Sequence, residues 1–104
     1  MAEKIKKEAQ KFIVRTNRAG VFYGEIKKQD GNTVTMANVR KVWHWDGACA
    51  VEELATNGTT RPENCKLTVM VKEMTVMDAI QIIPVTAKAA KSLDGVKEWK
   101  REDD

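Results

Sequence analysis

Two tryptophans flank the chain's single histidine in the segment Val42-Trp43-His44-Trp45, where a predicted β-strand ends. Because side chains alternate between the two faces of a strand, Trp43 and Trp45 are expected to point the same way, with attachment points about 6.6 Å apart. Two indoles at that spacing can form a slot in which a nucleobase or another planar group stacks. They can equally fill a small hydrophobic core, and this second, simpler interpretation is favoured over the slot.

Polar side chains near the predicted strands could hold the charged and polar parts of such a ligand. Arg15 and Arg40 carry planar guanidinium groups that suit phosphate oxygens. The amide of Asn38 could read the edge of a base, and Thr16 adds a hydroxyl beside Arg15. Arginines on a small sheet also commonly lie in solvent or cover aromatic rings, so both interpretations remain open. The predicted ligand-binding set is Arg15, Thr16, Asn38, Arg40, Trp43 and Trp45.

Residues that could perform catalysis are few, and no catalytic set can be assembled from them. His44 has no identifiable partner that would make it a general base. Glu52 and Glu53 are adjacent on a predicted helix, so their side chains point about 100° apart and do not face each other. One histidine and two distant cysteines cannot supply a tetrahedral metal site. The sequence therefore predicts a protein that is not an enzyme and has no cofactor or metal.

Composition and charge limit the class of protein further. The chain has 104 residues, of which 42% are hydrophobic and 32% charged, and this predicts one globular domain over residues 11–100. Residues 1–10 are predicted to be a charged, frayed segment, and residues 101–104 a disordered acidic tail. A net charge of +3 is weak for a nucleic-acid-binding protein but compatible with a small anionic ligand. No apolar run is long enough to span a membrane, so an intracellular protein with free, buried cysteine thiols is expected.

The pattern of apolar residues and turns predicts an α+β fold, a small, mostly antiparallel β domain of five or six strands with two short helices. Thr86 is predicted to cap the second helix, which Gly95 ends, and Asp46 to cap the first. The predicted strands are residues 11–16, 21–29, 32–45, 66–72, 77–83 and, as a possible last strand, 96–100, and the first helix covers residues 48–56.

Three positions in the early strands predict local irregularities. Gly24 lies inside a strand and indicates a bulge or the close approach of another group. Asp30-Gly31 is typical of a tight hairpin turn with a positive φ angle. A kink at Ala37-Asn38 would change which face the later residues occupy, so the sequence leaves those faces unassigned.

Several of these residues also form a pattern that resembles a known family. The pattern is Arg-Thr-x-x-Ala-Gly-Val, followed by Asn-x-Arg-x-x-Trp-x-Trp-x-Gly-Ala, and it resembles small, largely uncharacterised proteins of tailed bacteriophages. The segments Ile80-Gln81-Ile82-Ile83-Pro84-Val85-Thr86 and Val96-Lys97-Glu98-Trp99 also fit that family. This chain keeps the pattern as Arg15, Thr16, Ala19, Gly20, Val21, Asn38, Arg40, Trp43, Trp45, Gly47 and Ala48.

The resemblance implies a phage protein that acts in the cytoplasm of the infected bacterial host. The leading expectation is a non-enzymatic binding protein, a homo-oligomeric sponge that sequesters a nucleotide-type immune signal of the host and so counters host defence. One alternative is a phage structural or protein-interaction accessory module that uses Met70, Met74 and Met77 as an adaptable apolar surface. Another is a single-stranded nucleic-acid binder, whose affinity would fall steeply with salt. No membrane partner is expected.

Overall fold

The computed structural model describes residues 9–99 and contains one sheet with two short α-helices. The predicted fold class, a small antiparallel-rich α+β domain, is confirmed. The predictions for residues 1–8 and 100–104 lie outside the described residues. In chain order the elements are β1 (Lys11–Thr16), β2 (Val21–Asp30), β3 (Thr33–His44), α1 (Val51–Asn57), a 3-10 turn (Pro62–Asn64), β4 (Lys66–Leu67), β5 (Val71–Val76), β6 (Ala79–Pro84) and α2 (Ala87–Asp94).

The sheet is built around the long strand β3. The strand order is β4-β3-β2-β1-β6, and β5 pairs with β3 outside this path. Along β3, the residues from Val34 to Val39 pair with β5, and those from Val42 to His44 pair with β4. Both of these short strands therefore lie on the same side of β3, and every named strand pair is antiparallel.

Local chemistry explains why the first three strands form as predicted. Asp30 pairs with Thr33, which leaves Gly31 and Asn32 as a two-residue hairpin loop. Gly31 has a φ of 61°, so the predicted positive-φ turn is confirmed. Between β1 and β2, the hydroxyl of Thr16 donates to the Gly20 carbonyl at 2.8 Å and accepts from an amide of the same turn. Thr16 therefore closes its own turn.

Apolar residues lie on both faces of the sheet and form two cores. The helix-side core lies under α1 and α2, and it contains Ile13, Tyr23, Val42, Val51, Leu54, Leu67, Ala89, Leu93 and Val96. The opposite core lies on the other face and contains Val14, Phe22, Val34, Met36, Val39, Val76 and Ala79. A sheet with two apolar faces has strands in which consecutive residues are both buried, as Ile13 and Val14 are.

A bulge in the middle of β3 decides which residues face which core. Tyr23 pairs with Arg40 and Glu25 pairs with Ala37, so two β3 residues, Asn38 and Val39, lie opposite Gly24 alone. Asn38 has a φ of 48°. A Cβ atom added to Gly24 would lie 2.8 Å from the Cα of Val39, which confirms the predicted close approach.

The bulge reverses the alternation of side chains along β3. Before it, Met36 faces the opposite core; after it, Val39 faces that same core, although the two residues are three positions apart. Arg40 and Val42 consequently face the helix side, where Val42 joins the core. Lys41 pairs with Phe22, a residue of the opposite core, and so lies on the opposite face.

Two of the predicted later strands are corrected by the structure. Residues 66–72 do not form one strand, because β4 ends at Leu67 and β5 begins at Val71. Leu67 is buried as predicted, but Val69 is 53% exposed. The predicted strand 77–83 begins later, at Ala79, because Asp78 adopts a φ of 60° in the turn after β5. Within residues 96–99, the predicted last strand is reduced to an isolated parallel bridge between Leu67 and Glu98.

The two helices show one confirmed cap and one wrong prediction. The Thr86 hydroxyl accepts a hydrogen bond from the Ala89 amide at 3.1 Å, so it caps α2 as predicted. Asp46 does not cap α1, which begins at Val51 after Ala50. The Asp46 carboxylate instead accepts from the amide of Gly47 and from the side chain of Asn64, because the loop after β3 turns back on itself before the helix starts.

Candidate ligand-binding site

The two tryptophans of the Trp-His-Trp segment do not form the predicted common slot. Val42 pairs with Leu67 and His44 pairs with Lys66, so β3 carries one additional residue, Trp43, between these two pairs. This second irregularity interrupts the alternation on which the prediction depends. Trp43 is 56% exposed, whereas Trp45 follows the strand and is half-buried against the helix-side core.

Arg40 is buried, which corrects the expectation that its guanidinium group would be open to phosphate. Its side chain lies on the helix side, and the residue is only 7% exposed. Nε donates to the carbonyl of Thr68 at 2.9 Å, Nη1 to that of Val96 at 3.0 Å, and Nη2 to that of Leu67 at 3.2 Å. Burial lowers the pKa of Arg40, while the negative charges of Glu98 and Asp94 act in the opposite direction.

Arg15 and Trp45 are the predicted residues that share a recess. They line a shallow recess of about 420 Å³ between β1 and the start of α1. Glu52 also lines it, and the pKa of this glutamate is lowered, first by a hydrogen bond from Gln81 and to a smaller extent by the charge of Arg15. Arg15 thus lies beside an ionised carboxylate, which weakens the attraction of this recess for an anion.

Thr16 and Asn38, the remaining predicted residues, hold local backbone structure. Thr16 is buried, with 6% of the residue exposed, and its hydroxyl serves the turn between β1 and β2. Asn38 is exposed at the β3 bulge, where its amide donates to the carboxylate of Glu25 at 3.3 Å. Neither side chain is brought to the recess that Arg15 and Trp45 share.

A different aromatic pair, Trp43 with Trp99, stacks within the described residues. The rings of Trp43 and Trp99 stack with centroids 6.0 Å apart and planes 15° apart. Nζ of Lys41 lies 5.1 Å from the centre of Trp43, and Nζ of Lys66 lies 5.2 Å from the centre of Trp99. These four residues are called the indole platform below, and its rings and amines come from β3, from β4 and from the segment after α2.

Sequence reasoning missed Trp99 as a partner of Trp43. The segment Val96-Lys97-Glu98-Trp99 is predicted only as a possible last strand, and nothing local to it indicates that it runs beside β4. The amide of Trp99 donates to the Leu67 carbonyl at 2.8 Å, and this contact sets the indole beside the end of β3. One signal in the sequence could have indicated a role for Trp99. It is a large apolar side chain in a charged segment that shows no pattern of core residues.

Two open recesses adjoin the indole platform. One has a volume of about 510 Å³ and is lined by Trp43, His44, Asp46, Glu63, Asn64, Cys65, Lys66 and Trp99. The other, of about 460 Å³, is lined by Pro62, Glu63, Cys65, Gly95, Lys97, Glu98 and Trp99. Trp99 belongs to both recesses, so its indole stands between them. Volumes of this size match those of small-molecule sites.

Charges of both signs surround the platform. The pKa of Asp46 is lowered, first by the hydrogen bond from Asn64 and then by the amide of Gly47, so Asp46 is ionised at neutral pH. Glu63 lines the same recess, and so does Lys66 of the platform. The mixture offers cations to a phosphate and acceptors to the N–H groups of a base, but it does not form a continuous basic track.

Other chemistry is limited within residues 9–99. No cluster of three or more histidine, cysteine or acidic side chains in this range could hold a metal ion. Cys65 is buried as predicted, whereas Cys49 is exposed, and both are free thiols. None of the helices in this range is both long and apolar enough to cross a bilayer.

Comparison with known proteins supplies a family. Residues 9–93 match the model of a domain of unknown function, DUF6948. The chain belongs to the DUF6948 family. The match includes Trp43, Lys41 and Lys66 but ends before Trp99, so one ring of the indole platform lies beyond the matched region. No curated protein and no solved structure matches the chain.

Proposed function

We propose that this DUF6948 protein is a non-enzymatic binding protein that captures a nucleotide-type ligand on the indole platform. The observation that carries the proposal is the stack of Trp43, which is 56% exposed, on Trp99, with a lysine ammonium group over each ring. Stacked indoles of which one is exposed, beside cationic groups, combine a plane for a base with charge for a phosphate.

The spacing of the rings indicates how a base would bind. Centroids 6.0 Å apart belong to rings already in contact, so the pair has no room for a third ring between its members. A base would instead stack on an outward face of the platform. An exposed cation–π contact is worth only about 0.5–1 kcal/mol, so a lysine could leave its ring and bind a phosphate at little cost.

Size and charge favour a small nucleotide over a long polyanion. The recess beside the platform, about 510 Å³, is open and contains the acidic side chains of Asp46 and Glu63. These carboxylates would repel successive phosphates of a strand but could accept hydrogen bonds from one base. Because one domain covers only one side of the ligand, we propose a homo-oligomer in which a second copy closes the recess.

The biological context of the proposal comes from the resemblance to tailed-bacteriophage proteins. A phage protein that binds a nucleotide without converting it can act as a sponge that sequesters an immune signal of the bacterial host in the host cytoplasm. This anti-defence role requires affinity and abundance but no catalytic group, which agrees with the kind of side chains on the platform.

Calorimetric titration tests the binding proposal directly. The purified protein is titrated with a panel of adenine-containing cyclic nucleotides and isomers of ADP-ribose. We expect at least one to bind and the Trp43→Ala variant to bind it more weakly, by about 5- to 150-fold, because stacking contributes about 1–3 kcal/mol per base. Met77→Ala is the matched control, since Met77 is 64% exposed at the turn after β5, beyond the other end of β3. Absence of binding across the panel at micromolar protein would refute the proposal.

A second candidate function, binding of single-stranded nucleic acid, is favoured by the same stacked rings and lysines. For such binding, the logarithm of the association constant falls linearly with the logarithm of the salt concentration, and the slope is proportional to the number of phosphates contacted. Titration of short oligonucleotides at several salt concentrations distinguishes the two functions. A steep salt dependence with an oligonucleotide, together with no response to mononucleotides, would favour the strand-binding function.

Of the three methionines expected to form the surface of an accessory module, two are exposed and one is half-buried. Met70 and Met77 are 53% and 64% exposed, but they lie on either side of β5, before and after it. Met74, between them in sequence, is half-buried against the opposite core. The protein-interaction module therefore remains the less favoured proposal.

A further inference from the structure

Arg40 joins two segments of the chain that are distant in sequence. Its guanidinium group donates to the carbonyls of Leu67 and Thr68 at the end of β4, and to the carbonyl of Val96 after α2. Residues 96–99 are called the C-terminal arm below. The planar fork of an arginine can reach three acceptors in different directions at once, which a lysine ammonium on a flexible stem does less well.

The Leu67 carbonyl accepts hydrogen bonds both from Arg40 and from the last residue of the arm, Trp99. The Leu67 carbonyl accepts from Nη2 of Arg40 and from the amide of Trp99, at 3.2 Å and 2.8 Å. On the other side of the arm, the Val96 carbonyl accepts from Nη1 of Arg40 at 3.0 Å. The same guanidinium group thus binds the first residue of the arm, Val96, and the Leu67 carbonyl to which the last residue, Trp99, donates.

Few other contacts of the described residues hold the arm in place. It makes one isolated parallel bridge, between Leu67 and Glu98, donates one hydrogen bond from the Val96 amide to the Leu93 carbonyl at 3.1 Å, and buries the side chain of Val96. Beyond these, Trp99 relies on its stack with Trp43 and on the ammonium group of Lys66. Without the guanidinium group, the Val96 and Thr68 carbonyls would lose this donor, and the arm would lose the side chain that ties its first residue to the end of β4.

We propose that Arg40 is a positioning residue, whose guanidinium group holds the C-terminal arm against β4 so that Trp99 stacks on Trp43. Arg40 acts from the helix side of the sheet and does not touch the ligand. The consequence for nucleotide binding rests on the proposed function, whereas the consequence for the indole pair does not.

The exciton couplet that two stacked indoles produce in far-ultraviolet circular dichroism reports this contact directly. The full chain is compared with Arg40→Met, Arg40→Lys and Trp99→Phe, the last of which defines the signal without the pair. Arg18→Met is the matched control, since Arg18 is exposed in the turn between β1 and β2. We expect Arg40→Met to lose at least half of the couplet at a temperature where the amide signal shows a folded sheet, and Arg18→Met to keep all of it.

A general loss of stability would not remove the couplet at this temperature. In molecules that are still folded, Trp99 would remain stacked on Trp43 unless the arm itself had moved. A folded Arg40→Met variant with the full couplet would overturn the proposal. If Arg40→Met does not fold, the same criterion applies to Arg40→Lys, which keeps the charge but not the planar fork. Where the unaltered protein binds a nucleotide, the variant should bind it at least tenfold more weakly. If the unaltered protein binds none, the proposed function fails while the couplet still decides the role of Arg40.

Discussion

Replacing Gly24 by alanine tests whether the β3 bulge is closed by direct backbone contact. The added Cβ would lie 2.8 Å from the Cα of Val39 and 3.0 Å from the carbonyl oxygen of Asn38. Both are backbone atoms of the paired strand, so neither can rotate away as the end of a flexible side chain could. The strands must therefore separate by several tenths of an ångström, or the bulge must rearrange.

The cost follows from the place of this contact in the fold. Gly24 is buried, and its neighbour Val39 is fully buried in the opposite core, so any displacement disturbs packed side chains. Overpacking of this kind typically costs about 1–3 kcal/mol. For a domain of about 100 residues, each kcal/mol lowers Tm by about 4–8 °C, so Gly24→Ala should lower Tm by at least about 4 °C.

Thermal unfolding gives the change in Tm, and equilibrium unfolding in urea gives the free energy, because a change in the urea midpoint at constant slope reports stability alone. Gly95→Ala is the matched control, because Gly95 has a φ of −82° and its added Cβ would meet nothing nearer than 3.5 Å. The control should be neutral or more stable by up to about 1 kcal/mol. A Gly24→Ala variant within about 0.5 kcal/mol of the unaltered protein would refute this account of the bulge.

Two further changes test local contacts. Thr86→Ala removes the cap of α2 and a hydrogen bond to the Thr56 carbonyl, so thermal unfolding should show a loss of about 1 kcal/mol; an unchanged Tm would contradict it. The pKa of Asp46 is lowered in the folded protein, so its carboxylate stabilises the fold above its unfolded pKa of about 3.9, and this is lost as pH falls through the lower folded value. In the Asp46→Asn variant, the free energy of unfolding should therefore fall less steeply with decreasing pH below about pH 4. An equally steep fall in the variant would contradict the lowered pKa of Asp46.

Features set by neighbouring residues could be predicted from the sequence. The Asp30-Gly31 turn requires a positive φ that glycine supplies, and the Thr86 cap requires a hydroxyl one position before the helix. The close approach at Gly24 is predictable too, because glycine weakens a strand interior and is therefore typical of places where another backbone comes close. Each of these signals lies within a few residues of the structure that it predicts.

The arrangement of the site could not be predicted in the same way, because it depends on pairing between distant segments. The prediction for Trp43 and Trp45 assumes unbroken alternation, and the register shift between Val42 and His44 breaks it. The burial of Arg40 depends on carbonyls from β4 and from the C-terminal arm, and neither can be inferred from the residues beside Arg40. Trp99 depends on the same long-range contact.

The two irregularities of β3 together account for the existence of the indole platform. If β3 alternated regularly from Met36 onwards, Lys41 would face the helix side and Arg40 would face the opposite core, away from the carbonyls of β4 and the arm. The Asn38 bulge exchanges the faces of these two residues. The guanidinium group of Arg40 therefore reaches the arm, while Lys41 lies on the opposite face. The shift at Trp43 then leaves this indole outside the regular pairing with β4, where Trp99 can stack on it. A substitution that removes either irregularity should therefore disrupt the platform even where the domain still folds.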